Sequence, residues 1–93
     1  MNKEIRLTRD ALEQYRAFDA SMQLELREHV VLIADDPLAL LRRVFSDRAT
    51  TRLVYEYGSE CAHDIAVHLT FELNEHNLVL IDIRSFADGF GEA

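Results

Sequence analysis

What the chain lacks narrows the choices first. A lone cysteine, Cys61, excludes an internal disulfide, and no Cys/His spacing matches a zinc site. No apolar run approaches the ~20 residues that span a bilayer, and the opening Met-Asn-Lys-Glu-Ile-Arg-Leu has no apolar stretch of the signal-peptide kind. The expectation is a cytoplasmic protein with no membrane partner and no cofactor. Glycine is scarce as well: two of the three fall in the last seven residues, and no internal repeat, low-complexity tract or interdomain linker is present. Basic charge is in deficit, 10 Lys and Arg against 17 Asp and Glu for a formal charge of −7, which excludes a globally basic phosphate binder. A local patch remains open, because Arg42, Arg43, Arg48 and Arg52 sit within eleven residues that contain only Asp47 as an acid. The alternative is a solvated helix end and loop with scattered arginines.

What is present is an ordinary globular composition, 48% hydrophobic and 29% charged over 93 residues, enough for one core in a single domain spanning 1–93. The clearest signal lies at 65–86. Ile65, Val67, Leu69, Phe71 and Leu73 recur every second residue with Ala66, His68, Thr70 and Glu72 between them, the period of a half-buried strand. Val79, Ile81 and Ile83 repeat the pattern, with Leu80, Asp82 and Arg84 on the other side. A one-residue slip would bury Asp82, so the pattern predicts a hairpin pairing Phe71 with Ile81 and Leu69 with Ile83 around a loop at 74–78.

The remaining elements supply a lid for that hairpin. Ile5 and Leu7 alternate with Glu4 and Arg6, a short first strand; Thr8 is a good N-cap, with Asp10 in the first turn where the helix dipole favours an anion. Leu12, Tyr15, Phe18, Met22, Leu26, Val30 and Ile33 form one apolar stripe, broken into two helices near 19–21. Asp35-Asp36-Pro37 ends the second helix, since the residue before proline is pushed out of the α region. Residues 38–45 read as a short helical turn, with Leu38, Leu41 and Phe45 or Leu40 and Val44 inward. From Thr51 the chain turns β, with Leu53, Tyr55 and Tyr57 on one side and Arg52, Val54 and Glu56 on the other. The tail 87–93 reads as a frayed end or a short added turn. The expected fold class is α+β: a short N-terminal strand and a two-helix hairpin packed on an antiparallel sheet closed by a three-stranded C-terminal meander.

Several local phrases sharpen that outline. Ala11-Leu-Glu-Gln-Tyr-Arg-Ala-Phe18 opens the first helix, Leu26 runs through to an acid-proline exit at Asp36-Pro37, and Arg42-Arg43-Val44 precedes the meander of 51–58 and 65–86. In this order they resemble the RelE/ParE superfamily of small bacterial toxins. The resemblance implies the toxin of a toxin-antitoxin pair, held by an antitoxin or other protein partner, that cuts messenger RNA on the ribosome or poisons DNA gyrase. Nucleases of this kind use basic and aromatic side chains on the exposed sheet face and near the C-terminus. Here the chain is acidic, Ala66 stands where such an arginine is common, and the tail after Phe86 is not basic. A catalytically silent binding module on the same scaffold is therefore the alternative, and a homodimer is a further arrangement to test.

The same polar face provides the candidate site residues. With Tyr57 opposite Ile65 and Tyr55 opposite Val67, the open face gathers Glu56 near Ala66, Val54 near His68 and Arg52 near Thr70, while the hairpin brings Arg84 beside His68 and Asp82 beside Thr70. His68 would serve as general acid or base, Arg84 and Arg52 as phosphate clamps with Arg48 and Arg43 as further phosphate or partner contacts, and Asp82 would orient an arginine. Cross-strand charge pairs on a wet sheet face account for the same residues without catalysis.

Overall fold

Two short polar side chains start the helices. Thr8 accepts a hydrogen bond from the Ala11 amide (3.2 Å), opening α1 (Arg9–Ala17), and Asp19 accepts one from the Met22 amide (2.9 Å), opening α2 (Ala20–Asp35). The predicted break at 19–21 is therefore one capping residue following the Phe18 end of α1. The computed structural model describes residues 4–46, 51–73 and 77–87. Before α1 lies β1 (Ile5–Leu7); after α2 come α3 (Pro37–Leu40), β2 (Arg42–Ser46), β3 (Thr51–Gly58), β4 (Ile65–Leu73) and β5 (Leu78–Ala87). The sheet order is β1-β5-β4-β3-β2, antiparallel throughout except for β1, which runs parallel to β5. The expected α+β architecture and C-terminal meander are present.

The core lies between the helices and one sheet face. Val67, Leu69, Phe71, Leu78 and Leu80 from the sheet meet Ala11, Met22, Leu26 and Ile33 from the helices, and Leu12, Tyr15, Phe18 and Val30 are part-buried. Burying each large side chain contributes about 1.5–3 kcal/mol before entropy is counted. Ala11, outside the expected stripe, is fully buried.

The segment 38–45 corrects the sequence reading. The helical turn stops at Leu40, Leu41 is extended and buried, and 42–46 forms an edge strand on β3. Leu38, Leu40 and Val44 are exposed. A four-residue helix gains little from its own hydrogen bonds, whereas Arg42, Arg43, Phe45 and Ser46 gain sheet pairing with β3, Val44 standing at a shift in the register.

Two registers differ from expectation. In the hairpin, Leu69 does oppose Ile83, His68 opposes Arg84 and Thr70 opposes Asp82, but the ladder slips after Thr70 and Phe71 opposes Leu80 rather than Ile81. The cause is a run of four apolar residues, 78–81, within which a period of two cannot choose a face. A β-bulge at Ile81 resolves it, letting Leu78, Leu80 and Ile83 all point inward. Thr8 secures the bulge, its amide donating to the Leu80 carbonyl (3.1 Å) and its hydroxyl to that of Ile81 (3.5 Å). Strand β5 begins at Leu78, which pairs with Leu73; 74–76 of the expected loop and 88–93 of the expected tail lie outside the described residues.

Between β3 and β4 the pairing is two residues away from the expected one, with Tyr57 opposite Val67 and Tyr55 opposite Leu69. Faces are unchanged by an even shift, but neighbours are not. The connection at 59–64 makes its own turn: the Ser59 amide donates to the Ile65 carbonyl (2.8 Å), the Ile65 amide to that of Ala62 (3.2 Å), and Asp64 takes a left-handed φ of 64°.

Candidate functional site

The register brings His68, Arg84 and Asp82 together on the open face. Arg84 Nε donates to Asp82 Oδ2 (2.9 Å), and Gln14 of α1 grips the same segment at two points: its Nε2 donates to Asp82 Oδ1 (3.1 Å) and its Oε1 accepts from the Ile83 amide (2.7 Å). Asp82 is thus held from one side and holds Arg84 on the other. Gln14 was not legible as a functional neighbour, because only the three-dimensional edge of β5 beyond β1 brings it there.

The two-residue shift changes the rest of the cluster. Glu56, expected near Ala66, stands opposite His68, with Oε2 3.3 Å from Nδ1, a pair that is ionic when the imidazole is protonated. Arg52 stands opposite Glu72 rather than Thr70, its Nε and Nη2 lying 3.3 and 3.1 Å from one carboxylate oxygen. Three cationic or protonatable groups therefore meet three carboxylates in cross-strand or next-neighbour pairs. Such a face offers a proton acceptor in His68 and a positioned guanidinium in Arg84, with little net positive potential for a phosphate.

The arginine segment divides between faces. Arg42 pairs with Val54 and so shares the open face with Arg52; Arg43 pairs with Leu53 and belongs by register to the helix-bearing side. Both are exposed, and Arg48 lies outside the described residues.

A second polar cluster, missed in the sequence, lies between α2 and the start of the β3–β4 connection. The Glu25 carboxylate accepts from the Ser59 hydroxyl (2.6 Å) and the Glu60 amide (2.6 Å), with Cys61 Sγ 3.5 Å away. Burial pushes the Glu25 carboxyl up, and the Ser59 and backbone hydrogen bonds outweigh it, leaving it below its ordinary range. One turn on, His29 Nδ1 shares a 2.7 Å hydrogen bond with the Tyr55 hydroxyl and its ring stacks on Tyr57 at 3.9 Å. Burial raises the Tyr55 phenol; burial, then the charges of Glu25, Cys61 and Tyr55, raise that of Tyr57, whose buried hydroxyl has no hydrogen-bond partner among the described residues. The phenols stay protonated and the exposed thiol has no cation beside it among the described residues, so the cluster anchors a loop. The available signal was Glu25 and His29 four apart on a helix that also carries the buried Met22 and Leu26.

A third feature is apolar. Leu7, Leu12, Tyr15, Arg27, Val30 and Val31 line a groove of about 340 Å³ between α1 and α2. Within it Val31 is 68% exposed; Leu24 and Leu32 are exposed elsewhere on α2, Leu24 beside Glu25, Glu60 and Cys61.

Among the described residues no group of three or more His, Cys, Asp or Glu could hold a metal ion, and no helix is long and apolar enough to cross a membrane. Two helices on one face of a mixed sheet, with a β3–β4–β5 meander and a polar opposite face, define a RelE-like α+β fold. The chain is similar in structure to the crystal structure of an archaeal RelE-RelB complex from Pyrococcus horikoshii OT3, with a TM-score of 0.67 over 98% of this chain and 100% of that one at 7% identity. No protein-family model matches the chain, and no curated protein matches it.

Proposed function

We propose that the chain is the toxin, or a toxin-derived component, of a two-protein toxin-antitoxin module, and that its primary act is to hold a protein partner along the α1–α2 groove. The observation that carries this reading is the apolar groove, in which Val31 stays 68% exposed, a surface whose burial against an amphipathic segment is favourable. The similar solved structure was determined as a complex with RelB, which supports a partner of the antitoxin kind. Net charge −7 and the carboxylates on the open face favour protein over RNA. The test is co-expression with the product of an adjacent short reading frame. A stable complex that Val31→Glu abolishes, with the chain still folded, is the expected outcome; a complex indifferent to Val31→Glu refutes the groove.

A second reading has its own support in the pairing of His68 with Arg84 and the two-sided hold on Asp82. In it the open face cleaves ribosome-bound messenger RNA. His68 takes the proton from a ribose 2′-hydroxyl as its oxygen attacks the adjacent phosphorus, and the bond to the 5′-oxygen breaks with that oxygen protonated from solvent. Arg84 stabilises the charge on the phosphoryl oxygens of the pentacoordinate state, Asp82 positions Arg84, and Arg52 contacts flanking phosphate. Induction of the chain alone should then slow bacterial growth, and Arg84→Ala should relieve it. Growth arrest that survives Arg84→Ala would point instead to a binding target such as gyrase, and indifference of growth to induction removes the toxin reading.

A further inference from the structure

The open face ends in a cleft that neither reading uses. Across β3, β4 and β5 the register sets Gly58, Ala66 and Phe86 in one row, beside the row of Glu56, His68 and Arg84. Because the first two have little or no side chain, a cleft of about 270 Å³ opens next to the Phe86 ring, bounded by Glu56, Tyr57, Gly58, Ala66 and Phe86. The space is real: a Cβ added at Gly58 would meet nothing within 4 Å. Phe86 is 47% exposed, and no described cation or aromatic ring stands on it. Arg84, its basic neighbour, is committed to Asp82 at 2.9 Å. The Glu56 side chain is 53% exposed and only its Oε2 is engaged, by His68; Oε1 accepts no hydrogen bond among the described residues.

We infer that this cleft receives the guanidinium of an arginine from a basic segment of a protein partner, stacked on Phe86 and hydrogen-bonded to Glu56. An aromatic face and a half-free carboxylate at the edge of one small cavity match the two recognition modes of a guanidinium, which stacks as a plane and donates from its rim. The electrostatics select the same occupant. The chain carries −7 overall, and on this face Arg52 and Arg84 neutralise Glu72 and Asp82 while Glu56 meets only His68, so the carboxylate at the cleft edge attracts a basic side chain and repels a phosphate. A nucleobase could stack on Phe86, but its phosphate would have to lie beside the Glu56 carboxylate. The proposal rests on the partner-binding reading only for the source of the arginine, since the cleft lies on the sheet face opposite the α1–α2 groove.

The test uses the full chain, amide chemical-shift perturbation, and three probes: a nonapeptide alternating Gly and Arg, the same peptide with neutral citrulline for Arg, and an oligouridylate. The arginine peptide should shift the Gly58, Ala66 and Phe86 amides and the other two should not. Phe86→Leu should weaken binding about three- to five-fold and Phe86→Tyr should preserve it. Glu56→Gln should weaken it about ten-fold, while Glu72→Gln, an equal change in net charge, should stay within about two-fold. Equal losses for Glu56→Gln and Glu72→Gln would reduce the attraction to net charge and overturn the site, as would shifts produced by the oligouridylate and not by the peptide. Partner capture abolished by Val31→Glu alongside Phe86-independent peptide binding would sink this inference alone; Phe86-dependent binding without any captured partner would sink only the partner reading.

Discussion

Glu25→Gln asks whether the β3–β4 connection is held by charge or by shape. The carboxylate receives two 2.6 Å hydrogen bonds, from the Ser59 hydroxyl and the Glu60 amide, and glutamine keeps its size while losing its charge and one acceptor oxygen. Hydrogen bonds to a charged group are worth about 1.5–3 kcal/mol each when well buried; at this part-exposed position about 1–2 kcal/mol for the pair is the appropriate scale. In a domain of this size that is a fall in Tm of about 5–10 °C at pH 7. The dependence on pH separates the two explanations. Glu25 is held below its ordinary 4.5 in the folded chain. A carboxylate depressed in this way stabilises the fold fully above the unfolded value and loses that contribution as pH falls through the folded one. The gap between the parent chain and Glu25→Gln should therefore be full at pH 7 and smaller at about pH 3.5, where the unfolded chain is largely protonated and folding has to release that proton. Urea unfolding at the two pH values measures it. An equal gap at both would show that glutamate acts there by packing alone.

Three other substitutions probe distinct parts of the fold. Gln14→Ala should cost about 1–2 kcal/mol by urea unfolding and strip the Ile83 amide of its protection in hydrogen exchange, since Gln14 Oε1 is its partner. Phe71→Ala, at a position with no exposure, should cost about 3–5 kcal/mol and leave much of the chain unfolded at 25 °C by circular dichroism. Tyr57→Phe removes a buried hydroxyl that lacks a partner among the described residues and should be neutral or stabilising by up to about 1 kcal/mol, whereas Tyr55→Phe takes the partner from His29 and should cost about 0.5–1.5 kcal/mol in the same denaturation assay.

The helices and the meander were legible because each rests on a local rule. Thr8 and Asp19 are caps readable three residues ahead of the amides they satisfy, and the stripe from Leu12 to Ile33 needs only a period. The registers were less legible because they depend on contacts distant in sequence. Leu78, Val79, Leu80 and Ile81 are interchangeable to any pattern rule, and it is Thr8, 73 residues before Ile81, whose hydrogen bonds hold the bulge in place. The β3–β4 pairing depends likewise on Glu25, which reaches the connection from α2. His68, Arg84 and Asp82 are legible together because their relation lies within one hairpin, on the side of the slip away from its turn; Glu56 and Arg52 stand two residues from their expected partners because the register of β3 depends on contacts outside the hairpin, and Gln14 reaches the cluster from α1.

This division bears on what a structural likeness at 7% identity can carry. Caps, apolar periods and a buried stripe constrain residue class rather than identity, so two chains can share nearly every element while sharing few residues. The open sheet face is under no such constraint, since solvent accepts any polar residue there. Fold likeness therefore says least about the surface where a nuclease would do its chemistry, and that surface has to be judged on the residues it holds. Here Arg84 faces Asp82, Arg52 faces Glu72 and His68 faces Glu56, so an incoming phosphate must compete with a carboxylate already seated at each position. The apolar groove on the opposite side presents no such competitor. Binding in the groove needs only a partner that buries it, whereas catalysis on the open face needs at least one of those ion pairs to open first, an asymmetry that favours the proposed partner capture over the proposed RNA cleavage.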